Sequence, residues 1–361
     1  SFKSYCSKID LRCELLISDI KKNQKENLIN DIKAGEVDII VGTHALIQEN
    51  IKFYNLGLAI IDEQHRFGVE HRKNLINKAK HPNVLAMTAT PIPRTLSMTL
   101  HGDLDVSIID EIPKDRIPIK TQIAYDDKLD SIYDFIKLEL DKNRQCYIVY
   151  PIIEESETLD LEAANTAYEN IKNNIYPNYN VGYLNGKMDK LERDRQMKLF
   201  IEGNIDILVS TTVIEVGIDN PNATVMLIEN AERFGLTQLH QLRGRIGRGK
   251  YQSYCILMQR KRSDLSDYRL KVMENTSNGF KISDEDLKLR GPGEFFGKKQ
   301  HGYLKTKIAD IAKDGEIIEL SRNLAFKIIK NDNELKLSKN SKIRLELIDK
   351  YKNMLEFINI G

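Results

Sequence analysis

Two adjacent carboxylates, Asp62 and Glu63, follow a short apolar run within residues 58–65, which read Leu-Ala-Ile-Ile-Asp-Glu-Gln-His. Such a run predicts a buried strand of a parallel sheet, and open α/β sheets bind ligands at the carboxyl ends of their strands. In nucleotide hydrolysis one carboxylate holds Mg²⁺ through water while its neighbour orients the attacking water. An isolated Asp-Glu pair is more often a solvated turn, but the preceding strand and the following Gln64-His65 favour the hydrolytic interpretation. His65 could sense the nucleotide.

The chain lacks the phosphate-binding loop that normally accompanies such carboxylates. No G-x-x-x-x-G-K-[ST] occurs, and the Gly-Lys pairs at 186–187, 249–250 and 297–298 lack the glycine spacing and the final hydroxyl residue. A lysine in a cradle of backbone amides has no obvious substitute. We therefore expect no ATP hydrolysis by these residues alone. The chain starts at Ser1 and runs into helix-like sequence, which we interpret as a truncated N-terminus.

An arginine-rich stretch, residues 240–249, reads His-Gln-Leu-Arg-Gly-Arg-Ile-Gly-Arg-Gly. Leucine and isoleucine recur at a spacing of three to four, so we expect a helix that carries Gln241, Arg245 and Arg248 on one face. Arginine is the side chain best suited to neutralise charge on a γ-phosphoryl group. The alternative is a basic surface helix, which the two internal glycines argue against because glycine weakens a helix.

Two further hydroxyl-bearing stretches follow predicted strands. Residues 88–90 read Thr-Ala-Thr, and they could link hydrolytic carboxylates to a neighbouring domain, although a simple rigid turn is the better interpretation of that stretch alone. Residues 210–219 contain Thr211 and Thr212, which could contact nucleic-acid phosphates. They also contain Gly217 and Asp219, of which Asp219 could contact a nucleotide ribose.

The elements that must position these residues form two similar α/β units in tandem. Apolar runs alternate with helical stretches, as in the βαβ units of a parallel sheet. Two prolines and several charges at 112–118 suggest a linker. We predict an incomplete first motor-like domain at 1–115, a second at 116–264, and a helical and loop segment at 265–361. The predicted strands are 11–18, 37–41, 56–62, 83–88, 104–110, 146–150, 180–184, 205–210, 224–229 and 253–258.

Composition narrows the class of protein. Apolar residues make up 41% of the chain, which is sufficient for ordinary cores, and we find neither a run of 18 apolar residues nor a signal peptide. The four cysteines lack metal-site spacing, so we expect buried, reduced thiols in a cytoplasmic protein. Net charge is +1, yet residues 240–307 contain 16 Lys/Arg and 7 Asp/Glu. This excess suggests a surface that faces a polyanion, with a solvated basic face as an equal alternative.

The motifs Gly-Thr-His-Ala (42–45), Asp-Glu-Gln-His, Thr-Ala-Thr, 210–219 and 240–249 together resemble, in order and spacing, motifs Ib, II, III, V and VI of superfamily 2 helicases. The stretches 60–69, 152–157, 241–249 and 286–297 more narrowly resemble RecG, the bacterial branched-DNA helicase. The resemblance implies two RecA-like domains that close on ATP, with Asp62 binding Mg²⁺ through water. It places Glu63, His65, Gln241, Arg245 and Arg248 in catalysis, and Gly217 and Asp219 at the nucleotide.

The same resemblance assigns coupling and DNA-contact residues. Residues 265–302 resemble a translocation motif shared with the transcription-repair coupling factor, the rival family. We expect Gly291, Pro292 and Gly293 to form a sharply turning loop there. Coupling between ATP and DNA would involve Gln64, Thr88, Thr90, Arg290 and Gln300. DNA would be contacted by Thr43, His44, Asn185, Gly186, Thr211 and Thr212.

The implied partners are duplex and branched DNA, namely forks and Holliday junctions, with a contact to a single-strand-binding protein. We expect a monomer, associated with the bacterial nucleoid and not with a membrane. The wedge domain of the family is missing from this sequence. The rival from another class is a DNA-binding or regulatory relic without catalytic activity.

Overall fold

The structure is a computed structural model. It describes residues 2–17, 20–63, 74–75, 78–79, 82–89, 105–111, 113, 116–152, 157–212, 220–295 and 314–358. It divides into two compact units, Ser1–Thr90 and Pro91–Gly361. The predicted boundaries at 115 and 265 stay predictions.

The first unit contains two pairs of parallel strands with helices between them. Strands β1 and β2 form one pair, and β3 and β4 form the other. Leu16, Ala45 and Ile51 form a small core beside the first pair, while Ala59, Ile61 and Leu75 form one beside the second. The elements are α1 (Phe2–Cys6), β1 (Cys13–Leu16), α2 (Lys22–Ala34), β2 (Ile39–Gly42), β3 (Leu58–Ile61) and β4 (Asn83–Ala86).

The predicted strand at 104–110 is wrong for its described residues. Residues 105–110 form neither helix nor strand. Ile109 is 90% exposed, and Val106 and Ile108 are also exposed. Apolar alternation alone is insufficient because a strand also needs a partner for its backbone hydrogen bonds.

The second unit is built on a six-stranded parallel sheet with the order β5-β10-β9-β6-β8-β7. Strands β6, β8 and β9 are buried along their whole length, which explains their continuous apolar runs. Strand β5 was missed, because its sequence Lys-Thr-Gln-Ile-Ala has little apolar character. The strands are β5 (Lys120–Ala124), β6 (Gln145–Val149), β7 (Val181–Leu184), β8 (Ile207–Ser210), β9 (Ala223–Ile228) and β10 (Tyr254–Met258).

Helices cover both faces of this sheet. One core cluster contains Phe200, Leu239 and Met273, and the other contains Ile136, Ile171 and Tyr176. None of the helices in the described part of the chain combines the length and apolarity that a bilayer-spanning segment requires. The helices are α3 (Leu129–Leu140), α4 (Glu157–Asn170), α5 (Lys190–Ile201), α6 (Leu236–Arg243), α7 (Asp264–Asn275), α8 (Gly279–Phe295), α9 (Gly315–Asn331) and α10 (Ser341–Ile358).

Candidate nucleotide and DNA site

The two carboxylates lie directly after strand β3, as predicted. Asp62 Oδ1 accepts a hydrogen bond from the backbone N–H of Glu63 at 2.9 Å. Glu63 adopts a left-handed backbone conformation with φ of 50°. A non-glycine residue tolerates this strained conformation only where its surroundings fix it, and such residues concentrate at functional sites. Asp62 is exposed, whereas Glu63 is half-buried.

Thr88 follows strand β4, which pairs with β3, and it contacts the carboxylate. Its Oγ1 lies 3.5 Å from Oε2 of Glu63, at the long limit of a hydrogen bond. The parallel register of Ile61 with Ala86 explains this proximity, because it brings both strand ends to the same edge. Thr88 therefore contacts one of the two carboxylates, and the predicted link from them to a neighbouring domain stays a prediction.

These residues fit a magnesium-nucleotide site. Mg²⁺ at such sites is usually bound by one or two carboxylates together with substrate phosphates and water. Asp62 offers an exposed carboxylate of this kind at the end of a parallel strand. Within the described residues no group of three or more His, Cys, Asp or Glu side chains could form a cage for a metal ion made of protein alone. The fit is therefore to a metal held jointly with phosphates.

Gly42 is the last residue of strand β2 in the first unit, and Thr43 follows it. A Cβ on Gly42 would lie 2.4 Å from the carbonyl oxygen of Leu16 on the paired strand, so the position requires glycine. Thr43 is exposed, and its carbonyl accepts the N–H of Leu46 as a short 3₁₀ helix, His44–Ile47, begins. The exposed hydroxyl of Thr43 can therefore reach a ligand outside the strand pair.

Several predicted site residues lie outside the described residues, so their placement stays a prediction. They are Gln64, His65, Thr90, Gly217, Asp219 and Gln300.

The predicted arginine helix is shorter than expected. Helix α6 ends at Arg243, and Gly244 forms its C-cap. Arg245 and Arg248 therefore lie in the turn beyond the helix, and the prediction of a shared helix face with Gln241 is wrong. Arg248 is exposed and donates from Nε to the carbonyl of Gly244 at 3.3 Å, whereas Arg245 is half-buried. The two guanidinium groups thus have different environments.

Gly247 and Gly249 explain why this turn contains glycine. Gly247 has a φ of 73°, and an added Cβ would lie 2.8 Å from Cγ1 of Ile119. A Cβ on Gly249 would lie 2.2 Å from the carbonyl oxygen of Pro221. This second approach brings the end of the arginine turn against the residues that follow Asp219. Gly249 is therefore required where the arginine turn packs against Pro221.

A buried amide network fixes the chain immediately after Asp219. Asn220 Nδ2 donates to Gln145 Oε1 at 3.2 Å, and Asn222 Nδ2 donates to the same oxygen at 3.3 Å. Gln145 in turn donates to the carbonyls of Phe200 and Ile205. Because buried amides are costly unless they are paired, this network specifies the position of residue 220 closely.

Arg243 is a buried arginine that the sequence analysis missed. Its Nη1 donates to the carbonyls of Met273 at 2.7 Å and Thr276 at 3.0 Å, and to the hydroxyl of Thr121 at 3.2 Å. Burial lowers the pKa of its guanidinium. Arg243 lies four residues after the buried Leu239, a spacing that could have indicated an inward orientation. It ties the end of α6 to the end of α7.

His240 faces this arginine. Its Nδ1 lies 3.3 Å from Nη2 of Arg243, so a neutral imidazole can accept a hydrogen bond there. Burial, assisted by the charge of Arg243, lowers the pKa of His240 to about 4. The side chain is therefore neutral near pH 7 and supports α6 without adding charge.

The start of helix α6 is held by α7 and α8. Arg269 on α7 donates to the carbonyls of Phe234 and Glu232, at 3.0 and 2.8 Å, just before α6 begins. Asp286 on α8 is buried, and its Oδ2 accepts the hydroxyl of Thr237 at 2.9 Å. Its Oδ1 accepts Nε of the exposed Arg290 at 3.1 Å.

The predicted loop at 291–293 is wrong. Helix α8 continues through these residues to Phe295. The helix starts under an Asn278 cap, whose Oδ1 accepts the N–H of Phe280 at 2.9 Å, and buries Ile282 and Leu287. Packing of this kind overrides local propensity, and a proline near a helix end removes only one backbone hydrogen bond.

The predicted DNA-contact residues of the second unit differ in accessibility. Asn185 follows β7, and its Oδ1 accepts the N–H groups of Lys187 and Met188 at 2.9 and 3.0 Å, which leaves Gly186 exposed in the turn. Thr212 is half-buried. Thr211 is fully buried, and its Oγ1 has no hydrogen-bond partner among the described residues. Direct phosphate contact by Thr211 is at odds with this conformation.

Three family profiles match the chain. That of the DEAD/DEAH box helicases matches residues 1–99, and that of the helicase conserved C-terminal domain matches residues 127–250. The profile of the ATP-dependent DNA helicase RecG, domain 3, C-terminal, matches residues 276–361. The first two profiles thus cover the carboxylate site and the arginine turn.

Individual relatives agree with the profiles. The chain is 47% identical to an ATP-dependent DNA helicase RecG of Synechocystis sp. over 352 residues, which cover 98% of this chain and 42% of the relative. It is 47% identical to the RecG protein of Bacillus subtilis, covering 96% of this chain and 51% of that protein. The chain thus spans about half the length, or somewhat less, of these curated relatives.

Solved structures give the same result. A structure of RecG bound to a three-way DNA junction is 42% identical, with a TM-score of 0.68, over 88% of this chain and 41% of that one. The DNA-bound helicase MrfA has a TM-score of 0.54 at 16% identity, covering 80% of this chain and 43% of that one, a likeness of fold alone. Over most of its length the chain is therefore homologous to the ATP-dependent DNA helicases RecG.

Proposed function

We propose that the protein that carries this chain is an ATP-dependent DNA translocase that acts on branched DNA. The observation that carries the proposal is the strained Glu63 at the end of β3, with Thr88 beside its carboxylate. The 47% identity to RecG proteins supports an ATP-dependent helicase reaction at such a site. Replication-fork reversal and Holliday-junction branch migration, in recombination and repair, are the corresponding roles.

The proposed catalytic roles follow from the chemistry of each group. Asp62 would hold Mg²⁺ through water, and the bound ion would supply positive charge to neutralise the phosphates. Glu63 orients and deprotonates the attacking water, and Thr88 restrains its carboxylate. Arg245 and Arg248, with Gln241, stabilise charge on the transferred phosphoryl group. His65, Gly217 and Asp219 complete the nucleotide contacts.

DNA contact is proposed at turns that follow the strands and offer side-chain hydroxyl and backbone amide groups. Thr43, Gly186 and the half-buried Thr212 present hydroxyl and amide groups that suit phosphates and do not read bases. The basic region 240–307 supplies the charge. Binding would then be insensitive to sequence. A monomeric, nucleoid-associated protein that contacts a single-strand-binding protein remains part of the proposal.

Coupling between the two activities is proposed to pass through Arg290 and Gln300. Arg290 projects from α8 next to the start of α6, the helix that leads to the arginine turn. We expect Arg290→Ala to leave DNA-stimulated ATP hydrolysis near its normal rate while unwinding falls sharply. Parallel loss of both activities would instead indicate damage to the nucleotide site.

The proposal is tested in a full-length protein that carries this chain and a phosphate loop. Glu63→Gln should retain ATP binding but lower turnover by roughly two to four orders of magnitude, the contribution of a positioned base. Arg248→Ala should lower turnover by roughly three orders or more, as for an arginine finger. The matched control is Glu26→Gln on the exposed surface of α2, which should hydrolyse ATP normally. Near-normal turnover in Glu63→Gln would refute the assignment.

A DNA-binding relic without catalysis is the alternative function. Residues 1–361 alone should show no measurable ATP turnover under either hypothesis. The sequence upstream of Ser1 separates them, because a phosphate loop in the same reading frame supports the enzyme. A translocase similar to the transcription-repair coupling factor is a further alternative, and the RecG name of the matching relatives argues against it.

A further inference from the structure

We propose that Asp286 is a positioning residue that links helix α6 to Arg290. This inference rests on the proposed coupling function and assigns residues to it. Asp286 is 3% exposed, and its two carboxylate oxygens have different partners on different helices. One oxygen accepts the Thr237 hydroxyl on α6, and the other accepts Arg290 Nε on α8.

The two partners differ in what they can do. Thr237 is in the first turn of α6, whose C-terminal end leads into Arg245 and Arg248. The side chain of Arg290 is 45% exposed, and it lies within the basic region 240–307 that is proposed to supply charge for DNA contact. Asp286 lies between them and is buried, so the loss of either hydrogen bond would leave a carboxylate oxygen unpaired at a cost in free energy. When α6 moves, Asp286 therefore moves with Thr237 and shifts Arg290.

Gly235 provides the space for this arrangement. An added Cβ at Gly235 would lie within contact distance of Arg290 Nη2, closer than any real Cβ approaches. The guanidinium therefore packs against the backbone at the N-cap of α6, as well as pairing with Asp286. Two independent contacts thus keep Arg290 at the start of α6.

The neighbouring Glu285 shows what a purely structural carboxylate on α8 looks like. It is less buried than Asp286, pairs with Lys288 on its own helix at 2.8 Å, and also accepts the hydroxyl of Tyr268 on α7. None of the described residues of α6 forms a hydrogen bond or ion pair with Glu285. Glu285→Gln is therefore the matched control for Asp286→Asn, because it weakens the packing of α7 on α8 without touching α6.

The contact itself can be tested in the chain without any activity. Thr237→Val removes the donor and Asp286→Asn removes the charge, so each should lower the melting temperature. If the two groups bond to each other, the shift of the double variant should be smaller than the sum of the two single shifts, because asparagine can form only the weaker, uncharged hydrogen bond to Thr237. Strictly additive shifts would overturn the contact. Thr237→Ser retains the hydroxyl and should behave as wild type.

The relay is tested by the ratio of fork unwinding to DNA-stimulated ATP hydrolysis in a full-length protein that carries this chain. Thr237→Val and Asp286→Asn should lower this ratio by about tenfold or more, the factor expected for a lost hydrogen bond to a charged group. The kcat for ATP should change less than about twofold. Thr237→Ser, which retains the hydroxyl, and Glu285→Gln should both keep the wild-type ratio. An unchanged ratio in the first two variants, or an equal loss in Glu285→Gln, would overturn the inference.

Arg290→Ala separates this inference from the proposed function. If Arg290→Ala uncouples the activities while Thr237→Val and Asp286→Asn do not, the relay fails and the proposed coupling stands. If Arg290→Ala itself unwinds forks normally, the proposed coupling fails and the relay fails with it.

Discussion

Replacing Arg243 by methionine should destabilise the second unit substantially. Methionine fills much of the space of the arginine stem but leaves the carbonyls of Met273 and Thr276 and the hydroxyl of Thr121 without their donor. A buried acceptor left unpaired costs roughly 1–3 kcal/mol. The Thr276 carbonyl is partly accessible and can recruit water, and relief of the cost of burying a charge offsets part of the loss.

The expected net loss is therefore roughly 2–4 kcal/mol in the free energy of unfolding. For a unit of this size such a loss lowers the melting midpoint by roughly 4–10 °C. Thermal melts of residues 1–361, followed by circular dichroism, measure it. Arg243→Lys should have a melting midpoint between those of wild type and Arg243→Met, because an ammonium group keeps the charge but cannot reach all three acceptors. A midpoint for Arg243→Met within about 1 °C of wild type would refute the argument that these hydrogen bonds stabilise the fold.

Three further predictions concern pH, packing and DNA. The pKa of His240 is about 4 in the folded protein and has its ordinary value, about 6.5, in the unfolded chain. Neutral His240 therefore contributes roughly 3 kcal/mol to stability above about pH 6.5, and this contribution is lost as the pH falls towards 4. Thermal melts of His240→Gln should lack this pH-dependent component, and identical pH curves for variant and wild type would contradict the prediction. Gly249→Ala should cost roughly 1–3 kcal/mol against the Pro221 carbonyl, whereas Gly57→Ala, which meets nothing within 4 Å, should be near neutral in the same urea titration. Duplex DNA should bind residues 1–361 weakly. The logarithm of the binding constant should fall with the logarithm of the salt concentration at a slope of about −3 to −5 if about three to five phosphates are neutralised. Salt-insensitive or strongly junction-selective binding of labelled DNA would instead reveal a further recognition element.

Much of the fold was predictable because buried parallel strands have unmistakable apolar runs. Strands β6, β8 and β9 were located to within two residues. The run at 104–110 has similar composition but no strand in its described part, and β5 is a strand despite its polar sequence. Both differences depend on whether a neighbouring strand is available for pairing, which is a property of the tertiary structure and not of the local sequence.

The candidate site was predictable where residue type alone defines the chemistry, as at Asp62 and Glu63. It was not predictable where a charged residue is buried. Asp286 looks like an ordinary surface charge in the sequence, and only the spacing from Leu239 indicates that Arg243 points inward. The contacts with the neighbouring helices show that both residues are buried. Of the two internal glycines expected to serve a close approach, Gly247 does so against Ile119, whereas the closer approach of Gly249 to Pro221 was not predicted.

The most direct test of the central claim is ATP-dependent strand displacement on a synthetic fork by a full-length protein that carries this chain. Wild type should separate the fork only when ATP and Mg²⁺ are present, and Glu63→Gln should bind the same fork but fail to separate it. Fork separation by Glu63→Gln at the wild-type rate, or by wild type without ATP, would contradict the account.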